Sequence, residues 1–118
     1  MAFDSYQFDR ISQNLKQRYV PFTFKKMMGG VAFFVDEKML LGLDQDKKTG
    51  ENRLMARIGE SASKEALQKL GCKPMDITGR PMKGFVYVYP DGFDSDEQLE
   101  YWVGLCLTFN PEAKKSKK

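Results

Sequence analysis

Two glycines, Gly79 and Gly84, have the most suggestive spacing for chemistry, because the four residues between them include Arg80 and Lys83. The same separation occurs in the phosphate-binding loop of many nucleotide-binding proteins. In such a loop a lysine and a hydroxyl residue follow the second glycine and open a helix, whose amides and dipole hold the phosphate. Phe85 and an alternating aromatic run follow here instead. The sequence therefore argues against a nucleotide phosphate site.

Arg80 and Lys83 are nevertheless suited to bind an anion or an acidic partner, because both side chains recognise carboxylate and phosphate oxygens. The alternative interpretation is that Arg80 pairs with Asp76, and that the glycines and prolines only shape the loop. The alternative explains the Gly and Pro residues without a ligand. Both hypotheses stay open at this point.

Residues that carry catalysis or bind metals are sparse. The chain has no histidine, which removes the commonest general base and the commonest metal ligand. Cys72 and Cys106 do not form a Cys-x-x-Cys pair, and Asp44 with Asp46 begins a calcium-loop pattern that fails because Thr49 stands where glycine is required. We expect no enzyme, no metal and no cofactor.

A further hypothesis is a nucleic-acid platform of basic and aromatic side chains on one sheet face. Its candidate members are Lys25, Lys26, Arg53, Arg57, Arg80, Lys83 and either Tyr87 or Tyr89. Against it, arginines are ordinary on a solvent-facing strand, and the aromatics could instead face the core. The charge also weighs against it, because the net +3 is concentrated in a terminal lysine run and the rest of the chain is nearly neutral.

The domain organisation follows from composition. Residues 1–112 are predicted to form a single domain, and residues 113–118 a disordered lysine-rich tail. No apolar run is long enough to span a membrane, and the N terminus does not resemble a signal peptide. We therefore expect a cytoplasmic protein without membrane contact.

The elements that position these residues follow from periodicity. Asp4 and Gln7 form a capping box for a helix over residues 5–19, which Pro21 ends. Strands are predicted at Thr23–Met28, Val31–Val35, Lys38–Leu43 and Arg53–Ile58, the last with Leu54, Ala56 and Ile58 inward and Arg53, Met55 and Arg57 outward. Gly29-Gly30 suits a hairpin turn or a bulge in one ribbon, whereas Asp36-Glu37 suits a turn or a longer loop.

The second half contains two helices. Ser61 or Ser63 is predicted to cap a short helix through Leu70, with Ala66, Leu67 and Leu70 as its inner face. Ser95 and Gln98 predict a capping box for the last helix, whose inner stripe is Leu99, Trp102, Val103, Cys106 and Phe109.

The remaining segments are loops and one strand. Asp44–Asn52 is predicted to be an exposed loop, and Lys73–Gly84 an irregular loop that feeds a strand over residues 85–89. The order α-β-β-β-β-α-β-α predicts a two-layer α+β fold, with an antiparallel sheet of about five strands and helices packed on one face.

Three stretches of the chain resemble the N-terminal domain of the TfoX/Sxy family. They are Lys26–Gly30, Leu54–Gly59 and above all Pro74–Val88, which reads Pro-Met-Asp-Ile-Thr-Gly-Arg-Pro-Met-Lys-Gly-Phe-Val-Tyr-Val. Trp102 also lies where that pattern has a tryptophan. The resemblance extends over residues 1–110 and implies a compact fold similar to that of secretion chaperones.

The resemblance also implies a function. Family members with a second, C-terminal domain regulate natural competence and transcription, acting with the cyclic-AMP receptor protein at promoters. This sequence is expected to be a stand-alone copy of the N-terminal domain, and the family offers no catalytic residues to transfer.

The main prediction is a non-enzymatic regulatory or protein-interaction module. Its partner would be a protein, for example of the transcription machinery, with any nucleic-acid contact indirect, and a homodimer is compatible with this role. The predicted contact surface includes Lys26, Arg57, Arg80 and Lys83. The alternative prediction is a nucleic-acid-binding protein that uses a basic sheet and loop surface together with the lysine tail.

Overall fold

The computed structural model describes residues 3–27, 29–77 and 80–113, and for residues 27, 76, 77, 80 and 81 the backbone alone. Of the predicted tail at residues 113–118, residues 114–118 lie outside this description, whereas Ala113 is described and is buried. The elements in chain order are α1 Ser5–Gln17, β1 Thr23–Met27, β2 Gly30–Val35, β3 Lys38–Gln45, β4 Asn52–Arg57, α2 Glu60–Ala66, β5 Cys72–Ile77, β6 Arg80–Val88, α3 Pro90–Phe93, α4 Asp96–Phe109 and a 3-10 turn at Asn110–Glu112.

Helix α1 begins at the predicted N-cap residue Asp4, but the Gln7 side-chain oxygen accepts from Arg10 Nη1 at 2.9 Å instead of completing the predicted capping box. The Asp4 carboxylate accepts hydrogen bonds from the amides of Tyr6 at 2.8 Å and Gln7 at 3.3 Å, which satisfies amides that have no partner inside the helix. The helix ends at Gln17 rather than at residue 19, because Tyr19 takes a left-handed backbone with φ 59°. The spacing of Tyr19 after Phe8, Ile11 and Leu15 predicts that it lies on the apolar stripe of the helix. Its side chain is instead 93% exposed.

The first three strands form two tight hairpins, but the first turn is not the predicted Gly29-Gly30. Met27 pairs with Gly30, so Gly30 belongs to β2 and the glycine pair does not bulge within one ribbon. Val35 pairs with Lys38, so Asp36 and Glu37 alone make the second turn. Both have positive φ, at 57° and 66°, which is the conformation that a two-residue hairpin turn of the favoured twist requires.

The prediction of an irregular loop over Lys73–Gly84 is wrong, since strands β5 and β6 pair antiparallel along most of this segment. The sheet therefore has six strands rather than about five, in the order β1-β2-β3-β4-β6-β5. Pro74 is tolerated because β5 is an edge strand. A register shift between Pro74 and Asp76 and the positive φ of Gly84, 83°, absorb the irregularity that the glycines and prolines signal.

Helix α2 is shorter than predicted. It ends at Ala66, its N-cap is Gly59, and the Ser63 hydroxyl donates to the Gly59 carbonyl at 2.8 Å rather than capping the amides. Of the predicted inner face only Ala66 is buried, whereas Leu67 and Leu70 are 38% and 66% exposed. Both leucines follow the last helical turn, so helical periodicity does not apply to them.

The other layer of the fold consists of helices on one face of the sheet. Ser95 and Gln98 form the predicted capping box at the start of α4, and the core of α4 is Leu99, Trp102, Val103 and Cys106, with Phe109 only half-buried. Residues of α1, α2, α3 and α4 share one buried cluster with the inward residues of the strands. This arrangement confirms the predicted two-layer α+β fold. None of the described helices has the length and apolarity needed to cross a membrane.

Candidate functional site

The face of the sheet opposite the helices is the most extensive candidate contact surface. Leu54 and Ala56 of β4 are buried with the helices, so the residues between them point the other way. Strand pairing extends this second face across the sheet. We call it the open face, defined by Lys25, Ala32, Phe34, Met39, Gly42, Asp44, Arg53, Met55, Arg57, Lys73, Phe85 and Tyr87. The hydrophobic core that the described helices share with the strands lies on the other side.

Two methionines cover the centre of the open face. A Cβ atom at Gly42 would lie 2.5 Å from the Met55 methyl carbon and 3.4 Å from that of Met39, so both methyl groups lie on the glycine. Phe34 and Phe85, like the two methionines, are half-buried. Methionine is flexible and polarisable, so the centre is an apolar patch that can adapt its shape to a partner.

The open face is basic although most of the chain is nearly neutral. The residues that define the open face include four basic ones, Lys25, Arg53, Arg57 and Lys73. They include one acidic residue, Asp44. Exposed acidic residues are concentrated in the helical layer instead, at Asp91, Asp94, Asp96, Glu97 and Glu100. The net charge of the chain therefore conceals a separation of charge between the two layers.

Arg53 organises a network at one end of the open face. Its Nε donates to Asp44 Oδ1 at 2.9 Å and its Nη2 to Asp44 Oδ2 at 3.3 Å, a bidentate pair. Its Nη1 donates to the Tyr89 hydroxyl oxygen at 3.1 Å. That hydroxyl in turn donates to Asp46 Oδ2 at 2.6 Å. The guanidinium carbon also lies 3.8 Å from the centre of the Tyr87 ring, a stacked cation–π contact.

The network is a structural anchor, because its charged groups satisfy one another. The Tyr89 hydrogen bond, with help from the Lys48 amide and the Arg53 charge, lowers the pKa of Asp46 below its ordinary value of 3.8. Burial, together with the Asp46 acceptor, raises the pKa of Tyr89. The prediction of an exposed loop over Asp44–Asn52 is wrong at its ends, because Asp44 and Gln45 belong to β3 and Asn52 to β4. It is also wrong for Asp46, which is half-buried. The sequence offers no signal for the network, because Tyr89 lies far away along the chain.

The lowered pKa of Asp46 makes stability depend on pH. A carboxylate with a lowered folded pKa stabilises fully above its unfolded pKa of about 4 and loses this contribution as the pH falls through the folded value. We expect Asp46→Asn to unfold more easily than the wild type at about pH 7, with the difference shrinking at about pH 3. Urea denaturation at both pH values measures it. A difference that stayed constant with pH would exclude Asp46 as the titrating group.

Arg57 and Lys83, two of the predicted contact residues, lie together. They line a cleft of about 320 Å³ with Phe85 and Phe109. The Arg57 guanidinium carbon lies 5.5 Å from the Phe85 ring and 5.9 Å from the Phe109 ring, and its Nη1 is 3.5 Å from the Met39 carbonyl oxygen. Lys83 is exposed. This cleft continues the open face towards Gly84 of β6.

The structure separates Lys26 from these two residues. Lys26 pairs with Val31, whose side chain is in the core, so Lys26 lies on the helical side of β1. Lys25 is the β1 lysine that belongs to the open face. The side chain of Arg80, and with it the predicted Asp76–Arg80 pair, lies outside the described residues.

Neither cysteine is poised for nucleophilic chemistry. Burial raises the pKa of the Cys72 thiol to about 11 and that of Cys106 to about 12, and the thiolate is the reactive form. Within the described part of the chain, no histidine, cysteine or carboxylate residues cluster in numbers that could hold a metal ion.

Most of the chain matches one family of known proteins. The profile of the TfoX N-terminal domain matches residues 14–110. This span contains all six strands, the helices α2, α3 and α4, and the last turn of α1. No curated protein and no solved structure matches the chain. The match therefore covers the whole open face and most of the helical layer behind it.

Proposed function

The chain belongs to the TfoX N-terminal domain family, and on that premise we propose that it is a non-catalytic protein-interaction module whose contact surface is the open face. The observation that carries the proposal is the make-up of this face: methionines over a glycine, flanked by aromatic and basic side chains. Methionine, aromatic residues and arginine are enriched at protein interfaces.

The charge of the open face indicates the kind of partner. Lys25, Arg57 and Lys73 complement an acidic protein surface, and complementary charge raises the rate and the specificity of association. Met39 and Met55 would supply the apolar centre of the interface. A regulatory role, as the resemblance implies, would then be exerted by binding an acidic protein of the transcription machinery.

Direct nucleic-acid binding is the second candidate, favoured by the basic charge of the same face. A base needs an accessible ring to stack on. The Arg53 guanidinium already covers one side of the Tyr87 ring at 3.8 Å, and Arg53 is itself held by both oxygens of Asp44. These contacts favour the protein partner over the nucleic acid.

The proposal is tested by photo-cross-linking in cells. A benzophenone amino acid in place of Met55 is expected to give discrete protein adducts, because position 55 lies at the centre of the open face. The matched control carries the same amino acid in place of the exposed Lys64 of α2. Adducts that contain nucleic acid and disappear with nuclease would support the second candidate. Identical adducts from both positions would contradict the assigned surface.

A further inference from the structure

The two edges of the sheet differ in how well they are protected against an added strand. Strand β5 carries Pro74 and a register shift before Asp76, features that disfavour further pairing. Strand β1 pairs with β2 in an unbroken register from Thr23 to Met27 and contains no proline. No described strand pairs with its outer side, so every second residue of β1 directs its amide and carbonyl groups to that side.

An aromatic groove adjoins this free edge. Phe24 pairs with the core residue Phe33 and therefore lies on the helical side of β1, yet its side chain is 51% exposed. Its ring meets Phe8 of α1 edge-on, with centroids 4.9 Å apart. Phe8 and Phe24, with Val20 and Phe22, line a groove of about 710 Å³. We call these four residues the aromatic groove.

Ser12 also lines this groove and gives a second, independent observation. Its hydroxyl oxygen is buried and has no hydrogen-bond partner among the described residues. Buried polar groups in folded proteins are almost always paired. An unpaired polar group therefore lies within this wall of the groove.

The charge of the edge selects among possible occupants. Lys25 and Lys26 are both exposed and lie on opposite sides of β1. Suppose that the β1 strands of two copies paired antiparallel. In any register that overlaps their central residues, a lysine of one copy would lie opposite or diagonal to a lysine of the other, and like charges across strands repel. A second copy of the chain is thus disfavoured, whereas an acidic strand is attracted.

We propose that the free edge of β1 binds an extended acidic segment of another protein as an added antiparallel strand. Side chains alternate across a sheet, so the added residues opposite Lys26 and Lys25 are acidic and the next one, opposite Phe24, is apolar and enters the aromatic groove. The recognised pattern, read from the N terminus, is acidic-acidic-apolar. This site shares Lys25 with the open face but is otherwise separate from it, and it does not depend on the proposed function.

The test uses a capped peptide, Thr-Val-Glu-Asp-Val-Thr-Val, titrated into the full chain and followed by NMR and calorimetry. Amide shifts are expected in β1 and around the aromatic groove. Lys25→Glu/Lys26→Glu should weaken binding about tenfold, because two attractive cross-strand pairs become repulsive. The same variant should instead bind a peptide with Lys-Lys in place of Glu-Asp. The control variant Lys64→Glu/Lys69→Glu carries the same charge change in α2 and the turn after it. It should bind the peptide as tightly as the wild type does.

Two further variants distinguish strand addition from charge attraction alone. A peptide with proline in place of the valine that follows the aspartate keeps both acidic residues but should not bind, because the residue opposite Phe24 directs its amide to β1 and proline has none. Phe24→Ser should weaken binding, provided that circular dichroism shows the variant folded. Equal binding of the proline peptide, no loss in Lys25→Glu/Lys26→Glu, or shifts centred on Met55 would each overturn the proposal. So would a dimer, seen by sedimentation, that Phe24→Ser dissociates, because it would assign the edge to a second copy.

Discussion

Trp102→Ala is expected to lower the free energy of unfolding by about 4 kcal/mol, the range found when a buried aromatic side chain is truncated. Trp102 is 2% exposed. Its indole N–H donates to the Gly92 carbonyl at 2.9 Å, which ties α4 to the chain that leaves β6. Truncation would leave a cavity in the core and an unpaired carbonyl at once. Urea denaturation followed by far-ultraviolet circular dichroism measures the loss, since the variant lacks the only tryptophan.

Trp102→Phe separates the two contributions. It keeps most of the buried ring but removes the donor to Gly92, so a loss of about 1 to 3 kcal/mol is expected from the unpaired carbonyl and the smaller ring. A loss below about 1.5 kcal/mol for Trp102→Ala would contradict the close packing of α4 against the sheet.

Arg53→Met is expected to lower the free energy of unfolding by about 2 to 3 kcal/mol. Breaking a buried ion pair costs about 3 to 5 kcal/mol, and we discount this range because the Arg53 and Asp44 side chains remain 15% and 20% exposed. Without the guanidinium, Asp44 and Asp46 lose their shared counter-charge, and Tyr87 loses its stacked partner. Denaturant unfolding at about pH 7 measures the change.

A double-mutant cycle identifies the pair as the cause. Asp44→Leu combined with Arg53→Met removes both charges together, so the double variant should be more stable than the sum of the two single losses indicates. Strictly additive losses would show that Arg53 acts through its contacts with Tyr87, Tyr89 and Asp46 rather than through Asp44.

Local signals in the sequence predicted most of the helical layer and the first hairpins. Asp4 and Ser95 cap helices because each needs only amides two or three residues away. The alternation of β4 likewise depends on neighbours alone, so Leu54 and Ala56 were correctly predicted to face inward. The same rule of alternation places Lys25 and Lys26 on opposite sides of β1. The nucleic-acid hypothesis instead grouped them on one face because both are basic.

The remaining features depend on contacts that are distant in sequence. The glycines and prolines between Lys73 and Gly84 indicate a loop locally, and only the pairing of β5 with β6 makes strands of this segment. The second half of β6, from Phe85, was predicted from its own alternation. The Arg53 network joins Asp44 to Tyr89 across three strands, and no pattern along the chain indicates it. The basic charge of the open face also depends on the fold. The net charge of the chain does not reveal it, because that sum includes the acidic residues of the helical layer.

The most direct test of the open face as the contact surface is a charge-reversal comparison on the cross-linked partner. Lys73→Glu/Lys83→Glu places two reversals on the open face and its adjoining cleft, and Lys64→Glu/Lys69→Glu places the same charge change in α2 and the turn after it. The affinity for the partner captured from position 55 is expected to fall about tenfold in the first variant and to stay unchanged in the second. Equal affinities in the two variants, with both folded, would contradict the assignment of the open face as the contact surface.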